Sequence, residues 1–308
     1  MRVIIAGGTG LIGRALTKEL AKHSYEVIIL SRNPEKVISV PIGVKVVAWD
    51  GVSIQGWGDL VNEALAVVNL SGENIAGEGF FPSRLTNERK RGIRDSRILS
   101  GKTLLEAIEA AEKKPEVFVQ SSAVGYYGFH GSEKLNEESP PGDDFFAEWK
   151  EWEKVSAPVE DMGIRRVIIR SGIIFSTGRG SALNRLVLPF KLFTGGPIGD
   201  GKQYLSWVHE TDEARAIRFL IENNDARGAF NLTAPNPATN AEVGKSIAKV
   251  LHRPYYLPAP GFAFKLAFGE VSALVTEGQR VMPERLLEHG FEFQFPELEP
   301  ALQDILVD

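Results

Sequence analysis

The chain has 308 residues, of which 43% are hydrophobic and 24% charged, enough for a large folded core. A net charge of -5 disfavours nucleic acid as the main partner, so we expect a small molecule. The absence of cysteine excludes disulfides, thiol nucleophiles and thiolate metal sites. No apolar run approaches ~20 residues and no basic, apolar leader opens the chain, so we expect a cytoplasmic protein without a membrane partner.

Short apolar runs alternate with helical patterns over the first two thirds of the chain. The runs RVIIAG, EVIILS, VKVVAW, AVVNLS, EVFVQSS and RRVIIRSG lack polar alternation, which is typical of parallel strands buried on both faces. Between the first two runs, apolar residues recur at helical spacing from Leu11 to Leu20, which completes a strand–helix–strand unit. The sequence therefore predicts an α/β fold with a Rossmann-type doubly wound parallel sheet of six or seven strands.

After Arg170 the sequence becomes rich in loops. We expect residues 1–170 to form the Rossmann domain, joined by a returning strand near 228–234. Residues 171–308 would form a smaller mixed C-terminal substrate lobe, interleaved with the sheet. Within this part, Thr239 and Glu242 have the spacing of a capping box that starts a helix through Leu251.

A glycine motif, GGTGLIG, directly follows the first predicted strand and opens the first predicted helix. Gly7 permits a tight turn, Gly10 lets backbone N–H groups reach a pyrophosphate, and Gly13 lets helix and sheet approach closely. The motif predicts a dinucleotide site; the alternative is an ordinary glycine-rich turn.

The residues at the end of the second predicted strand indicate which dinucleotide binds. A free ribose 2′-hydroxyl calls for Asp or Glu there, but this chain has Ser31 and Arg32. Charge-assisted hydrogen bonds from Arg32 to a 2′-phosphate would favour NADP(H) over NAD(H) roughly tenfold to hundredfold. The alternative is that Arg32 is a solvated loop residue.

Several longer motifs resemble a known family. GGTGLIG, NLSG and SSAVGYYG resemble the extended short-chain dehydrogenase/reductase superfamily. SGENI, RDSR, PFKLFTGGPIGDGKQYLSWVH and the C-terminal blocks from TAPNPATN to PELEPAL are similar to its atypical sugar-nucleotide epimerase-like family, also described as cell-division-inhibitor-like. The resemblance spans nearly the whole chain.

The resemblance implies an NADP(H)-binding Rossmann lobe and a cytoplasmic or organellar location. By position, it implies that Asp50 approaches the adenine and that Ser31 and Arg32 bind the 2′-phosphate. It places other residues along the pyrophosphate (Gly7, Thr9, Gly10, Leu11 and Ile12) and beside the adenosine ribose (Leu70, Ser71 and Gly72). It implies no particular substrate.

The usual catalytic pair of the superfamily, a Tyr general acid and a Lys four residues later, is missing. Phe145 and Trp149 fall near those positions, and Ala123 falls where the superfamily has Ser or Thr. We expect the catalytic residues to be Tyr127, Lys150 and Ser122, with His209 and Glu73 as further proton donors or relays. Taken singly, each has a structural alternative: Tyr127 as a packed aromatic, Lys150 as a solvated side chain, His209 as a helix cap.

A basic segment runs from Arg84 to Arg97, in which Lys90, Arg94 and Arg97 share one helix face. A solvated face is the simplest interpretation. Because Arg97 follows SGENI near the mouth of the sheet, it is also a candidate ligand of a cofactor phosphate or of an anionic substrate such as a sugar nucleotide. The scattered histidines predict no metal site.

Two functional hypotheses follow. The first is an NADP(H)-dependent oxidoreductase or nucleoside-diphosphate-sugar epimerase of unknown substrate, since a long second lobe is where a substrate pocket is expected. The second is a non-catalytic module that senses NADPH. The sequence leaves a monomer and a homodimer open.

Overall fold

A computed structural model describes residues 1–37, 39–77, 79 and 82–307. Its main sheet has seven strands, all parallel, in the order β11-β7-β5-β4-β1-β2-β3. The described strands are β1 (Arg2–Ala6), β2 (Glu26–Ser31), β3 (Val44–Ala48), β4 (Ala64–Asn69), β5 (Val117–Ala123), β6 (Lys134–Leu135), β7 (Arg165–Ser171), β8 (Ile173–Phe175), β9 (Tyr204–Leu205), β10 (Trp207–His209), β11 (Gly228–Leu232), β12 (Ala238–Thr239) and β13 (Arg280–Val281). The predicted fold class is confirmed.

Helices cover both faces of this sheet and build the C-terminal part. The described helices are α1 (Leu11–Lys22), α2 (Asn87–Ala110), α3 (Trp149–Val155), α4 (Pro158–Asp161), α5 (Ala182–Lys191), α6 (Glu210–Glu222), α7 (Asn240–Val250), α8 (Gly261–Phe268), α9 (Ala273–Thr276), α10 (Glu284–Glu288) and α11 (Leu298–Leu306). None of the helices in the described ranges is long and apolar enough to cross a membrane.

The strands are apolar throughout because each face of the sheet is covered. In β1, Val3 and Ile5 pack into one core with α1 and α6, whereas Ile4 and Ala6 pack into the opposite core with α2 and α4. The two-residue period of a strand sends successive side chains to opposite faces, so both sets must be apolar.

The C-terminal part has its own core, formed where α5, α7 and α11 pack around Phe175 and Trp207. Its helix α7 begins as the sequence predicts: Thr239 and Glu242 form a complete capping box, and the helix ends with Leu251 as its C-cap.

The carboxyl ends of the parallel strands meet at one edge of the sheet. The strand order reverses between β1 and β4, and ligands of open α/β sheets bind beyond the carboxyl ends at such a switch point. The site is therefore built from the segments that follow β1, β2, β3, β4, β5 and β7.

Candidate functional site

The turn between β1 and α1 is packed so closely that it requires glycine. Gly7 has a φ of 81°, and a Cβ atom there would lie 2.6 Å from the carbonyl oxygen of Leu70. A Cβ atom on Gly13 would lie 2.5 Å from Cα of Gly8 and closer still to the Gly7 carbonyl oxygen. The backbone of the turn thus contacts the segment after β4 on one side and α1 on the other, as the motif predicts.

The first turn of α1 leaves backbone donors open. Gly10 is the N-cap and supplies no side-chain hydrogen bond to the N–H groups that follow it. Those N–H groups and the positive end of the helix dipole together suit an anion such as a pyrophosphate.

A cavity of about 320 Å³, here named the glycine-turn cavity, lies against this turn at the ends of β2, β3 and β4. The Ser71 hydroxyl at its wall is buried and has no hydrogen-bond partner in the described part of the chain, which fits a bound ligand. The sequence candidates that line it are Gly7, Thr9, Gly10, Ser31, Arg32, Asp50, Leu70, Ser71 and Gly72, together with Glu73.

Asp50 lies at the far wall of the glycine-turn cavity. Its Oδ1 accepts hydrogen bonds from the backbone N–H groups of Val52 and Ser53, both at 2.8 Å. These two bonds hold the pKa of the carboxyl below its usual range. Asp50 therefore presents a fixed, ionised acceptor to the cavity.

Ser31 and Arg32 stand where β2 ends. The Ser31 side chain is buried, and its Oγ accepts a hydrogen bond from the N–H of Asn33 at 3.2 Å. Arg32 is exposed, and within the described residues its guanidinium forms neither a hydrogen bond nor an ion pair. A cation without a protein partner at this position is available for a ligand phosphate.

A second cavity, of about 170 Å³, lies between the carboxyl ends of β5 and β7 and is here named the edge cavity. Its walls include Ala123 and Gly125 after β5, and Ser171 and Gly172 after β7. A dinucleotide extended along the sheet edge from the glycine-turn cavity would bring its other end here.

Ser171 is hydrogen-bonded to a buried acid on α6. Its Oγ lies 2.5 Å from Oε1 of Glu213, whose other oxygen has no partner among the described residues. Burial raises the pKa of Glu213 to about 8, so the carboxyl is mostly protonated at neutral pH. Sequence reasoning missed this pair, although an acid on the apolar face of α6 with Ala216 and Leu220 is a readable signal.

Four more polar residues line the edge cavity, namely Tyr204, Ser206, Glu277 and Gln279. The Gln279 amide forms no hydrogen bond within the described ranges, and the ring of Tyr204 lies beneath the guanidinium of Arg280 at 4.8 Å. Gln279 is contributed by the loop before β13, and nothing in the local sequence indicates its position. An unpaired amide at a cavity wall is suited to bind a polar group of a ligand.

Tyr127, a predicted catalytic residue, lies in an internal hydrogen-bond network. Its hydroxyl is fully buried, donates to Oδ1 of Asn231 at 2.7 Å and accepts from Nη1 of Arg170 at 2.9 Å. Burial raises the pKa of Tyr127 to about 12, away from the range useful to a general acid at neutral pH. Tyr127 is an internal hydrogen-bonding residue that does not line the edge cavity.

Ser122, also a predicted catalytic residue, belongs to the same internal network. Its Oγ donates to Oε1 of Glu153 at 2.7 Å. Arg170 binds both oxygens of Glu153 at 2.9 Å, so the carboxylate is fully engaged. Because successive side chains of β5 alternate between its faces, Ser122 points towards α3 and away from the cavity.

Lys150 and His209 also lie away from the two cavities. Lys150 is a half-buried residue of α3 that borders neither of them. His209 caps α6: its Nδ1 accepts from the N–H of Thr211 at 3.0 Å, and its Nε2 faces Asp304 at 3.1 Å. The helix-capping alternative for His209 is confirmed.

Arg97 lies near the site, with its two Nη atoms bonded to protein carbonyl groups and its buried Nε without a hydrogen-bond partner among the described residues. The guanidinium lies between the rings of Trp149 and Trp152, at 4.9 and 4.8 Å from their centroids. It donates to the carbonyl oxygens of Ile93 at 2.9 Å and Glu73 at 3.0 Å. Burial lowers the pKa of Arg97 to about 10. The ring and carbonyl contacts hold the guanidinium in place, while its unpaired Nε remains a donor beside Gly72.

Comparison with known proteins identifies the family. Residues 3–233 match the model of the NAD dependent epimerase/dehydratase family, and residues 259–305 match one described as Domain of unknown function (DUF1731). The chain is 36% identical over 310 residues to Epimerase family protein YfhF of Bacillus subtilis, covering 100% of this chain and 99% of that protein. It is 36% identical to the human Epimerase family protein SDR39U1, covering 99% of this chain and 100% of that protein.

Solved structures of other proteins superpose closely on this chain. Human SDR39U1 (isoform 2), crystallised with NADPH, superposes with a TM-score of 0.88 at 35% identity over 99% of both chains. UDP-glucose 4-epimerase of Thermus thermophilus, in complex with NAD, gives a TM-score of 0.76 at 20% identity over 99% of this chain and 98% of that one, a likeness of fold. The chain belongs to the NAD dependent epimerase/dehydratase family, as the resemblance in its motifs predicts.

Proposed function

We propose that this protein binds NADP(H) and is an oxidoreductase or epimerase acting on a small molecule in the edge cavity. The observation that carries the cofactor assignment is the exposed Arg32 guanidinium, without a protein partner in the described part of the chain, at the wall of the glycine-turn cavity. Its position at the end of β2 is where the 2′-phosphate of NADP(H) is recognised in this fold. The NADPH bound by the human relative supports the same assignment.

The residues around the glycine-turn cavity fit the parts of this cofactor. Gly7, Thr9 and Gly10 at the cavity wall would hold the pyrophosphate. Leu11 and Ile12, which begin α1, would contribute their backbone N–H groups. Other residues would flank the adenosine: Leu70, Ser71 and Gly72 at the ribose, Asp50 at the adenine, and Ser31 with Arg32 at the 2′-phosphate.

When bound, the nicotinamide supplies or accepts a hydride. The protein must then move a proton to or from the substrate oxygen. We propose Ser171 for this role, because it is a hydroxyl at the wall of the edge cavity and is hydrogen-bonded to the protonated Glu213. The Ser171 hydroxyl donates to Oε1 of Glu213 in the structure. For transfer, this hydroxyl would turn and give its proton to the substrate oxygen while Ser171 Oγ accepts the proton of Glu213, in place of the missing tyrosine and lysine.

Titration of the protein with NADPH and NADH, followed by cofactor fluorescence, tests the cofactor assignment. We expect NADPH to bind at least tenfold more tightly, as one charge-assisted hydrogen bond would give. Arg32→Ala should bring the two affinities together. Lys36→Ala removes an exposed charge from the same loop, outside the cavity lining, and should leave the ratio unchanged. Equal affinities in the unmodified protein would refute the assignment.

The alternative of a non-catalytic NADPH sensor is favoured by one observation, the inward orientation of Tyr127 and Ser122. Screening aldehydes, quinones and sugar nucleotides for NADPH oxidation separates the two functions. On any substrate found, Ser171→Ala and Glu213→Gln should lower turnover by about 10²-fold or more, as loss of a general acid does. Full turnover in both variants would exclude this pair, and no turnover with any compound favours the sensor.

A further inference from the structure

A third cavity, here named the apolar cavity, encloses about 460 Å³ between α5, α7, α8 and α9. This volume is within the range of small-molecule sites. Its walls are formed mostly by aliphatic and aromatic side chains, among them Leu186, Phe190, Val243, Ile247, Phe264 and Phe268.

The apolar cavity is poorly suited to a nucleoside diphosphate. Among its described lining residues the one charged side chain is Arg185, whose Nη2 donates to the carbonyl oxygens of Gly77 at 3.2 Å and Gly79 at 2.8 Å. Burying a diphosphate requires cations or several donors directed at it, because unpaired charges are costly to remove from water. The described walls do not supply such a set.

The apolar cavity adjoins the edge cavity. Ile173, Leu205 and Leu274 line both of them, so the two spaces adjoin. One molecule can therefore place a polar head beside Ser171 and Gln279 while its body lies among apolar side chains.

Helix α8 is apolar on two faces. Phe264 and Phe268 line the apolar cavity, whereas Phe262 and Leu266 on the opposite face are 75% and 76% exposed. Leu257, which also lines the cavity, is 47% exposed, so the apolar surface continues from the interior to the outside. A lipophilic molecule would therefore meet apolar surface at Leu257 on entering the cavity, whereas Phe262 and Leu266 lie outside the lining.

We propose that the substrate is a lipophilic carbonyl compound, or the corresponding alcohol, whose uncharged alkyl or aryl body fills the apolar cavity. The inference rests on the proposed NADP(H)-dependent function and names its substrate class. In the reductive direction the carbonyl carbon gains a hydride from NADPH and the oxygen gains a proton, which yields an alcohol and NADP⁺.

Calorimetric titration of the NADP⁺-loaded protein with hexanol, octanol and decanol tests this inference without requiring turnover. Each added methylene that leaves water should tighten binding roughly fourfold. Phe264→Asp places a charge on the cavity wall and should weaken decanol binding at least tenfold. Phe262→Asp is the matched control on the outer face of α8 and should bind decanol like the unmodified protein, and both variants should retain their NADP⁺ affinity.

UDP-glucose is the opposing probe in the same titration, and we expect no saturable binding. Affinity that is independent of chain length, equal decanol binding by the two Asp variants, or UDP-glucose binding that displaces decanol would each overturn the inference. A protein that fails to bind NADP⁺ refutes the proposed function instead, and the alcohol titration without cofactor then still reports on the cavity.

Discussion

A buried network around Arg170 engages Ser122 in β5 and Tyr127 directly after it. Arg170 binds Glu153 through two hydrogen bonds and the Tyr127 hydroxyl through a third. Ser122 donates to the same carboxylate, and Asn231 accepts from the tyrosine. The side chains of this network hydrogen-bond to one another away from water. The network therefore holds β5, β7, β11 and α3 together.

Tyr127→Phe tests this structural role. The change leaves the Asn231 and Arg170 groups without their partner, and we expect the free energy of unfolding to fall by about 1–3 kcal/mol. NADPH affinity should be unchanged. Tyr126→Phe is the matched control, because its hydroxyl forms no hydrogen bond in the described chain, and it should have almost no effect. Chemical denaturation measures both; equal stability of the two variants would argue against the network.

Glu213 makes stability depend on pH. Its pKa is about 8 when folded against an ordinary 4.5, so between these values the folded state binds more protons than the unfolded one. The contribution of Glu213 to the free energy of unfolding is therefore complete below pH 4.5. It falls as the pH rises to about 8, by at most ~1.4 kcal/mol per pH unit.

Glu213→Gln removes this titration while keeping the hydrogen bond to Ser171. Between pH 4.5 and about 8, the free energy of unfolding of the variant should rise relative to that of the unmodified protein. Denaturation at several pH values measures this difference. Glu106→Gln, on the exposed side of α2, is the control and should give a difference that does not vary with pH. If the stability difference for Glu213→Gln also did not vary with pH, the raised pKa of Glu213 would be contradicted.

At the scale of elements, the junction of β1 with α1 determines the cofactor site. The helix can begin against the turn only because Gly7 and Gly13 carry no side chains. The same close approach leaves the first N–H groups of α1 open towards the glycine-turn cavity. Packing and anion recognition therefore depend on the same residues.

Gly13→Ala should lower both the stability of the fold and the affinity for NADPH. The added methyl group would overlap the backbone of Gly8, and overpacking of this kind costs about 1–3 kcal/mol. NADPH affinity should fall together with stability because the turn must shift. Gly261→Ala is the comparison, since a Cβ there would have no neighbour closer than 3.8 Å, and it should bind NADPH normally. Normal binding by Gly13→Ala would show that the turn tolerates the shift.

In the whole molecule, each of the three cavities lies beside a different set of elements. The glycine-turn cavity lies at β1 to β4, the edge cavity at β5 and β7, and the apolar cavity beyond it between the C-terminal helices. Residues distant in sequence, such as Ser171 and Gln279, become neighbours only where the C-terminal part closes over the sheet edge.

Cofactor binding should therefore stabilise the fold. At a free NADPH concentration about 100 times its Kd, the free energy of unfolding should rise by ~2.7 kcal/mol. The same concentration of NADH should give a clearly smaller rise, and Arg32→Ala should remove the difference. Thermal unfolding with each cofactor measures this; identical shifts for NADH and NADPH would contradict a 2′-phosphate site.

Local sequence order was enough to predict the strands of the main sheet, the glycine turn and the residues that end β2, because each depends on apolar runs, glycine spacing or a strand end followed by a helix. The capping box of α7 is local in the same way. Which polar side chains face a cavity depends on tertiary packing. Ser122 and Tyr127 are directed inward by β5 and by their hydrogen-bond partners on α3, β7 and β11. Ser171 and Glu213 meet because α6 packs against β7, a contact between segments far apart in the chain that no local pattern encodes.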